Sequence, residues 1–414
     1  PHFVDVHASD GYYTVKYDFD NEVSELALDI PDPLRSELAS SKLFSAGINN
    51  LPPALLDVGI SGITVTTSQT ALAQATEDIK FLDNQQLYGV SNNSYIEDFF
   101  GSARLKTCTE AVGQGDIADY NGEGASQIYA GYTVITDAQN LSFKMGRGGQ
   151  CNLIVDGKYT SKTNYTLPGI DANGEYLNIA FSTRKFREVT LQIQAGSIAF
   201  RGAFTAPLDT IYPPTPRLKA IAFGDSFAEG ASARNAGISW PIILGNYFNL
   251  NVMASCLAST GFLASSSTYN YLERVNDAVD SNAELVFACS TVNDASLDQQ
   301  VVKDNVLAWY TQVRFDLPSA RIVVLGSAGA VTASKQANEQ NVKDAIEGVT
   351  DGNLFFVPVM TDPNPPIIGT GKTSAPTGDG NADLYITNDD HLNQAGQLFF
   401  SRWLSTKILK LNVL

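Results

Sequence analysis

The stretch Ile221-Ala222-Phe223-Gly224-Asp225-Ser226-Phe227-Ala228-Glu229-Gly230 decides how this chain reads. Leu218 to Phe223 is mostly apolar and of strand length, Gly224-Asp225-Ser226 turns the chain, and a helix-compatible run follows from Ile238. A serine so placed stands at the carboxyl edge of a parallel sheet, where α/β folds put their ligands. Its hydroxyl becomes an effective nucleophile only when a base takes its proton. The 414 residues contain three histidines: His2, His7 and His391. His391 lies in Thr387-Asn388-Asp389-Asp390-His391-Leu392-Asn393-Gln394-Ala395-Gly396, just before a C-terminal amphipathic helix. Serine early and an acid–histidine pair late thus bracket one unit of the chain.

Working outward, residues 217–414 alternate strand and helix. Strands are expected at Lys219–Gly224, Leu250–Ser255, Glu284–Cys289, Arg321–Gly326 and Asn353–Pro358, with helical periodicity between them. Val302, Val306, Trp309, Tyr310 and Val313 form one apolar stripe. Short strands with right-handed helical crossovers imply a doubly wound, five-stranded parallel sheet of flavodoxin-like type. Residues 96–206 differ: short strand-like runs at Ile128–Ile135, Leu141–Met145, Cys151–Val155, Tyr176–Phe181, Glu188–Ile193 and Ser197–Phe200 are punctuated by Gly, Asn and Asp. That pattern predicts an all-β, jelly-roll-like sandwich with a hairpin turn at Asp156-Gly157. Tyr129, Tyr132, Tyr159 and Tyr165 can stack on sugar rings or simply pack. Residues 207–216, with Pro213-Pro214-Thr215-Pro216, read as a stiff linker. Residues 1–95 resist assignment, beyond a strand or two within Asp5–Leu28 and a surface helix over Ser68–Asn84.

Gly224-Asp225-Ser226 and the late His391 segment resemble the SGNH/GDSL hydrolases, and two intermediate blocks fit in order. Cys256-Leu257-Ala258-Ser259-Thr260-Gly261-Phe262-Leu263 looks like the second block, which presents a backbone N–H to the oxyanion; Gly261 or Ser259 can be that donor. Thr291-Val292-Asn293-Asp294 looks like the third, whose asparagine adds a side-chain amide. The resemblance covers about half of the chain. It implies a serine esterase with Ser226 as nucleophile, His391 as base, and an oxyanion hole of Ser226, Gly261 and Asn293. Two positions depart from the family. Asn388 stands where an aspartate usually precedes the histidine by three residues, so Asn388 or Asp389 orients the ring, Asp390 being adjacent; and Thr291 replaces a glycine. A β-sandwich ahead of such a unit resembles carbohydrate esterases, which implies an acylated carbohydrate or polysaccharide as substrate and acetyl as the acyl group. The alternative is a phage-tail or cell-surface carbohydrate-binding protein with a weakened esterase unit.

Composition sets the outer limits. A net charge of −17 argues against nucleic acid and anionic membrane as partners, and suits an extracellular or virion-associated protein. No run approaches the roughly 20 apolar residues of a membrane span. Self-association is left open. Cys108, Cys151, Cys256 and Cys289 lack metal-ligand spacing, and buried free thiols are expected at Cys256 and Cys289. Asp379-Gly380-Asn381-Ala382-Asp383 hints at calcium, but a plain turn is the favoured reading. No cofactor or metal is implied.

Overall fold

The computed structural model describes residues 2–8, 11–17, 61–68, 79–81, 99–102 and 129–413, apart from 147–148, 162, 168–174, 195–198, 207, 213–216, 234–235, 266–268 and 388–389. A hairpin of β1 (His2–Ala8) and β2 (Gly11–Tyr17) pairs His2 with Tyr17 and His7 with Tyr12, and forms a sheet of its own. The strands that follow are β3 (Ile63–Ser68), β4 (Ile79–Phe81), β5 (Phe99–Ser102), β6 (Tyr129–Thr136), β7 (Asn140–Gly146), β8 (Gly149–Val155), β9 (Lys158–Tyr159), β10 (Tyr165–Leu167), β11 (Glu175–Phe181), β12 (Arg187–Gln194), β13 (Ala199–Phe204) and β14 (Ile211–Tyr212). One antiparallel sheet has the order β3-β11-β7-β13-β4; facing it is β10-β8-β12-β6. Alternate residues of the two sheets, among them Val134, Phe143, Leu153, Ile179 and Leu191, share one buried core. Each such aliphatic side chain contributes about 1.5–3 kcal/mol through its removal from water. Asp156 (φ 49) and Gly157 (φ 76) make the expected two-residue hairpin between Val155 and its partner Lys158.

Several expectations for this half are corrected. Ser68 ends a strand and Ile79–Phe81 is another, so Ser68–Asn84 is not one helix. Both strands belong to the sandwich, which therefore recruits chain from before residue 96. Pairing with β11 and β13 decides what the segment's ends become. Ile211 and Tyr212 pair with Thr136 and Ile135, so part of the expected linker is a sheet strand. The last strand starts at Ala199 and runs on to Phe204. Tyr159 is buried with its hydroxyl donating to Gln192 Oε1 at 3.0 Å, while Tyr132 and Tyr165 pack against the core.

The second half supplies the parallel strands β15 (Leu218–Gly224), β16 (Leu250–Cys256), β17 (Leu285–Cys289), β18 (Arg321–Leu325) and β19 (Leu354–Val357), each within a residue or two of expectation. Their spatial order, β16-β15-β17-β18-β19, is the flavodoxin-like one. In β15 the side chains alternate between two cores: Ile221 and Phe223 face one, Ala220 and Ala222 the other. The first core is closed by α4 and α5, and the second by α2 and α7, in the numbering α1 (Ser226–Glu229), α2 (Trp240–Phe248), α3 (Val275–Asp280), α4 (Gln299–Asp316), α5 (Ala333–Glu347), α6 (Ala382–Tyr385) and α7 (Gln394–Leu411). The predicted stripe of α4 holds, with Val302, Val306, Trp309 and Val313 buried. Cys151, Cys256 and Cys289 are buried free thiols, and β16 and β17 flank β15 rather than each other. Cys108 lies outside the described residues.

The two halves are joined through their sheets. Strand β5 runs parallel to β16, pairing Gly101 with Met253, and antiparallel to β6, pairing Phe99 with Tyr132. The edge of the parallel sheet, which would otherwise offer unpaired N–H and C=O groups, is thereby continued into the sandwich. The outer face of that sandwich sheet is covered as well, since Ile154 and Tyr159 pack with Ile238, Ile243 and Leu398.

Candidate active site

The geometry of the candidate nucleophile, Ser226, begins with a glycine. A Cβ on Gly224 would lie 2.2 Å from that of Ala228 and 3.1 Å from Cys256 Sγ, so only glycine lets β15 turn this tightly into α1. Asp225 caps α1, its Oδ1 accepting from Phe227 N at 2.9 Å. Ser226 is the first residue of that helix, where the backbone N–H has no intrahelical acceptor. The turn sits at the point where strand order reverses, between β15 and β17. Ligands of such sheets bind at that crevice.

The candidate base, His391, arrives from the other end of the sequence. Thr387 donates to the His391 carbonyl through N (2.8 Å) and Oγ1 (2.9 Å), and Asn393 caps α7 by accepting from Gly396 N at 2.9 Å. This closes a short loop that aims the imidazole at β15. His391 Nε2 lies 2.7 Å from Ser226 Oγ. The ring rests on Phe227, with centroids 4.8 Å apart. Gln397, one turn into α7, donates to Phe227 O at 3.0 Å and accepts from Trp240 N at 2.9 Å. One buried amide thus fixes the serine's helix against the histidine's helix. Of the expected orienting residues, Asn388 and Asp389 lie outside the described residues. Asp390 forms an ion pair with Lys372 at 2.8 Å.

The second and third blocks meet through Asp294. Its carboxylate accepts from Phe262 N (2.8 Å), Leu263 N (3.2 Å) and Ala264 N (2.7 Å), and a Cβ on Gly261 would lie 2.4 Å from its Oδ2. Gly261 is therefore needed for the close approach of this carboxylate. Its own N–H, one of the two oxyanion donors offered by the sequence, donates to Ala264 O at 2.8 Å within the loop. Ser259, the other donor candidate of this block, is exposed and at φ 63. Thr291, where the family has glycine, caps the next turn by accepting from the N–H groups of Asn293 and Asp294. Asn293 Nδ2 donates to Thr260 O at 2.9 Å and to Asp225 Oδ2 at 3.3 Å.

Buried groups that sequence reasoning missed hold these loops. Arg274, fully buried, donates to Ser255 O at 2.6 Å, Thr260 Oγ1 at 2.9 Å and Gly224 O at 3.3 Å, tying the ends of β15 and β16 to the second block. Asn338 donates to Ser290 Oγ and Thr291 O. Glu339 accepts from Ser327 N and from the N–H groups of Val359, Met360 and Thr361. Nothing in the local sequence Tyr271-Leu272-Glu273-Arg274-Val275-Asn276-Asp277 marks Arg274 as buried. In the Met360–Thr387 loop, Asp379 accepts from Thr370 and Asp383 from Thr377 and Gly378, so these carboxylates brace a turn. Among the described residues no group of His, Cys, Asp and Glu is placed to hold a metal ion.

Burial pushes the Asp225 carboxyl from an ordinary value near 3.8 up to about 7, with the nearby Asp294 charge adding to the effect and the Phe227 N–H opposing it. Burial also raises Asp294, against its three N–H donors. Between pH 4 and 7 the folded chain thus keeps a proton on Asp225 that the unfolded chain has released, so this residue's contribution to stability falls as pH rises through that window. Asp225→Asn has no such proton to lose. The melting temperature of the unsubstituted protein relative to this variant is expected to fall from pH 4 to 8. A difference independent of pH would show that Asp225 is ionised throughout.

The arrangement sets a serine hydroxyl against an imidazole at the switch point of a doubly wound parallel sheet. No protein-family model and no curated protein matches the chain. Solved structures do. A family 2 carbohydrate esterase with a carbohydrate-binding domain from Corynascus thermopiles (Myceliophthora fergusii) has a TM-score of 0.53 at 12% identity, over 76% of this chain and 99% of that one. A family two carbohydrate esterase from Clostridium thermocellum, in complex with cellohexaose, has 0.52 at 15% identity, over 68% and 92%. An acetyl xylan esterase from Butyrivibrio proteoclasticus has 0.52 at 10% identity, over 84% and 98%. At such identities the likeness concerns the fold alone.

Proposed function

We propose that the chain is a carboxylic ester hydrolase that removes an acetyl group from a carbohydrate. The observation that carries this reading is the 2.7 Å contact between Ser226 Oγ and His391 Nε2 at the switch point of the sheet. The shared fold with carbohydrate esterases supports the substrate class. Ser226 Oγ attacks the ester carbonyl as its proton passes to His391 Nε2; the imidazolium then protonates the leaving sugar oxygen. Water, deprotonated by the same imidazole, releases acetate from the acyl-serine. The oxyanion is held by the N–H groups of Ser226 and Ser259 and by Asn293 Nδ2, which gives up its longer bond to Asp225 to do so. Each such donor is worth about 10²–10³ in rate. An extracellular or virion-borne setting, where polysaccharide is met, goes with this reading.

Turnover of a chromogenic acetate ester, and acetate release from acetylated polysaccharides, test it directly. Absence of both would sink the proposal. A second reading, a phage-tail or cell-surface carbohydrate-binding protein with weakened catalysis, draws on the inward turn of two donors: Gly261 N–H on Ala264 O, and both Asn293 amide protons on Thr260 and Asp225. It predicts retained oligosaccharide binding with negligible turnover.

The orienting residue separates by substitution. If Asn388 holds the imidazole by hydrogen bonding, Asn388→Asp preserves or raises kcat, because a carboxylate stabilises the imidazolium better than an amide. We expect this outcome. A steep loss in Asp389→Asn, with Asn388→Ala tolerated, would assign the role to Asp389 instead.

A further inference from the structure

Asp225 links the helix that begins with Ser226 to the asparagine of the third block. It is 2% exposed, and each of its carboxylate oxygens has a separate partner. Oδ1 accepts from Phe227 N at 2.9 Å and so caps α1. Oδ2 accepts from Asn293 Nδ2 at 3.3 Å, and the same amide nitrogen donates to Thr260 O at 2.9 Å. Both protons of the Asn293 amide are thereby engaged. The backbone beneath is held as well: Thr291 Oγ1 accepts from Asn293 N at 3.1 Å, and Asn338 Nδ2 donates to Thr291 O at 2.9 Å. An oxyanion gains this amide only if one of its two bonds is released, and the longer one leads to Asp225.

How firmly that bond holds depends on charge. A hydrogen bond to an ionised carboxylate is roughly twice as strong as one to a neutral acceptor. A carboxylate on the amide also opposes a second negative charge beside it. A protonated carboxyl does neither. Burial and the Asp294 charge raise the Asp225 carboxyl to about 7, against the Phe227 N–H. Asp294 itself is bonded by the N–H groups of Phe262, Leu263 and Ala264. Arg274 donates to the carbonyl of Gly224, one residue back. Glu229 lies one turn along α1, and the Asp225 charge reaches the Lys335 ammonium on α5. Burial keeps Tyr271, Cys256 and Cys289 neutral, with the Asp225 charge adding to the effect. On the side of His391, Asp390 is paired with Lys372, and Asp389 lies outside the described residues.

We propose that Asp225 is a positioning residue whose proton releases the Asn293 amide to the oxyanion, so that ionised Asp225 gives the less active form. This rests on the esterase reading for its effect on rate, though not for the coupling of the two side chains. The effect is opposite in sign to that of a histidine base, which works better once it has lost its proton. For a chromogenic acetate ester, kcat is expected to fall at least about tenfold from about pH 6 to 8.5 with KM little changed, since one oxyanion donor is worth about 10²–10³. Asp225→Asn, which cannot ionise, and Asn293→Ala, which has no amide to release, should each flatten that fall. Asn293→Ala alters a half-buried side chain and carries the comparison independently of how well Asp225→Asn folds. In 15N-labelled protein the Asn293 side-chain amide resonance, assigned by its loss in Asn293→Ala, should move over the same pH range and stay still in Asp225→Asn. A resonance that does not move, or that moves equally in Asp225→Asn, would overturn the proposal. So would a fall in kcat that is absent, or that survives in either variant. A titrating amide in a protein without ester turnover would instead overturn the esterase reading and leave the coupling standing.

Discussion

Ser226→Ala is expected to lower turnover of an acetate ester by about 10⁴-fold or more while leaving the melting temperature nearly unchanged. The Ser226 hydroxyl is bonded to His391 Nε2 and sits at the first position of a short helix, where alanine is well tolerated. Surface changes of this sort usually move stability by less than about 0.5 kcal/mol. The fall should therefore appear in kcat, with oligosaccharide binding retained. Purified variant that turns over ester at a comparable rate would return Gly224-Asp225-Ser226 to the status of an ordinary turn.

His391→Ala ranks next, with an expected loss of about 10²–10⁴-fold from general-base assistance alone. The loop should survive, because Thr387 binds the His391 backbone carbonyl and α7 is capped by Asn393. The other two histidines cannot substitute: His2 and His7 lie in the separate β1–β2 hairpin. Removing the side chain leaves a ring-sized gap against Phe227. Added imidazole is therefore expected to restore part of the activity. Rates within a few-fold of the unsubstituted protein, with no response to imidazole, would place the base elsewhere.

What was legible in the sequence was local. Strand period in Leu218–Gly224, the stripe of Val302, Val306, Trp309 and Val313, and the turn at Asp156-Gly157 are each settled by neighbours in the chain. The Ser226–His391 pairing was legible too, because with one histidine near a catalytic-type block there was little choice. The residues that escaped are those whose partners are remote. Arg274 binds carbonyls on two strands, Gln397 reaches Phe227 and Trp240, and Glu339 gathers N–H groups from separate loops. Read along the chain, each is only a polar residue within or beside a helix.

The same division explains the two corrections of most consequence. The second block was legible, but not its internal bonding, because Asp294, thirty residues beyond Ala264, draws in three N–H groups and Gly261 N–H bonds Ala264 O. The sandwich and the parallel sheet were each expected, yet their fusion through Phe99–Ser102 was not, since four residues carry no period of their own and gain their strand identity by pairing with Met253, Ala254 and β6. Over residues 217–414 the sequence by itself determined the strand and helix types, the handed α/β order and the pairing of Ser226 with His391, because short-range periodicity and chemical scarcity suffice for those. Which amides are bonded within the second block, which buried charge holds each loop, and where one sheet ends and the next begins were decided only in the tertiary structure, where a buried polar group must find its partner wherever in the chain that partner lies.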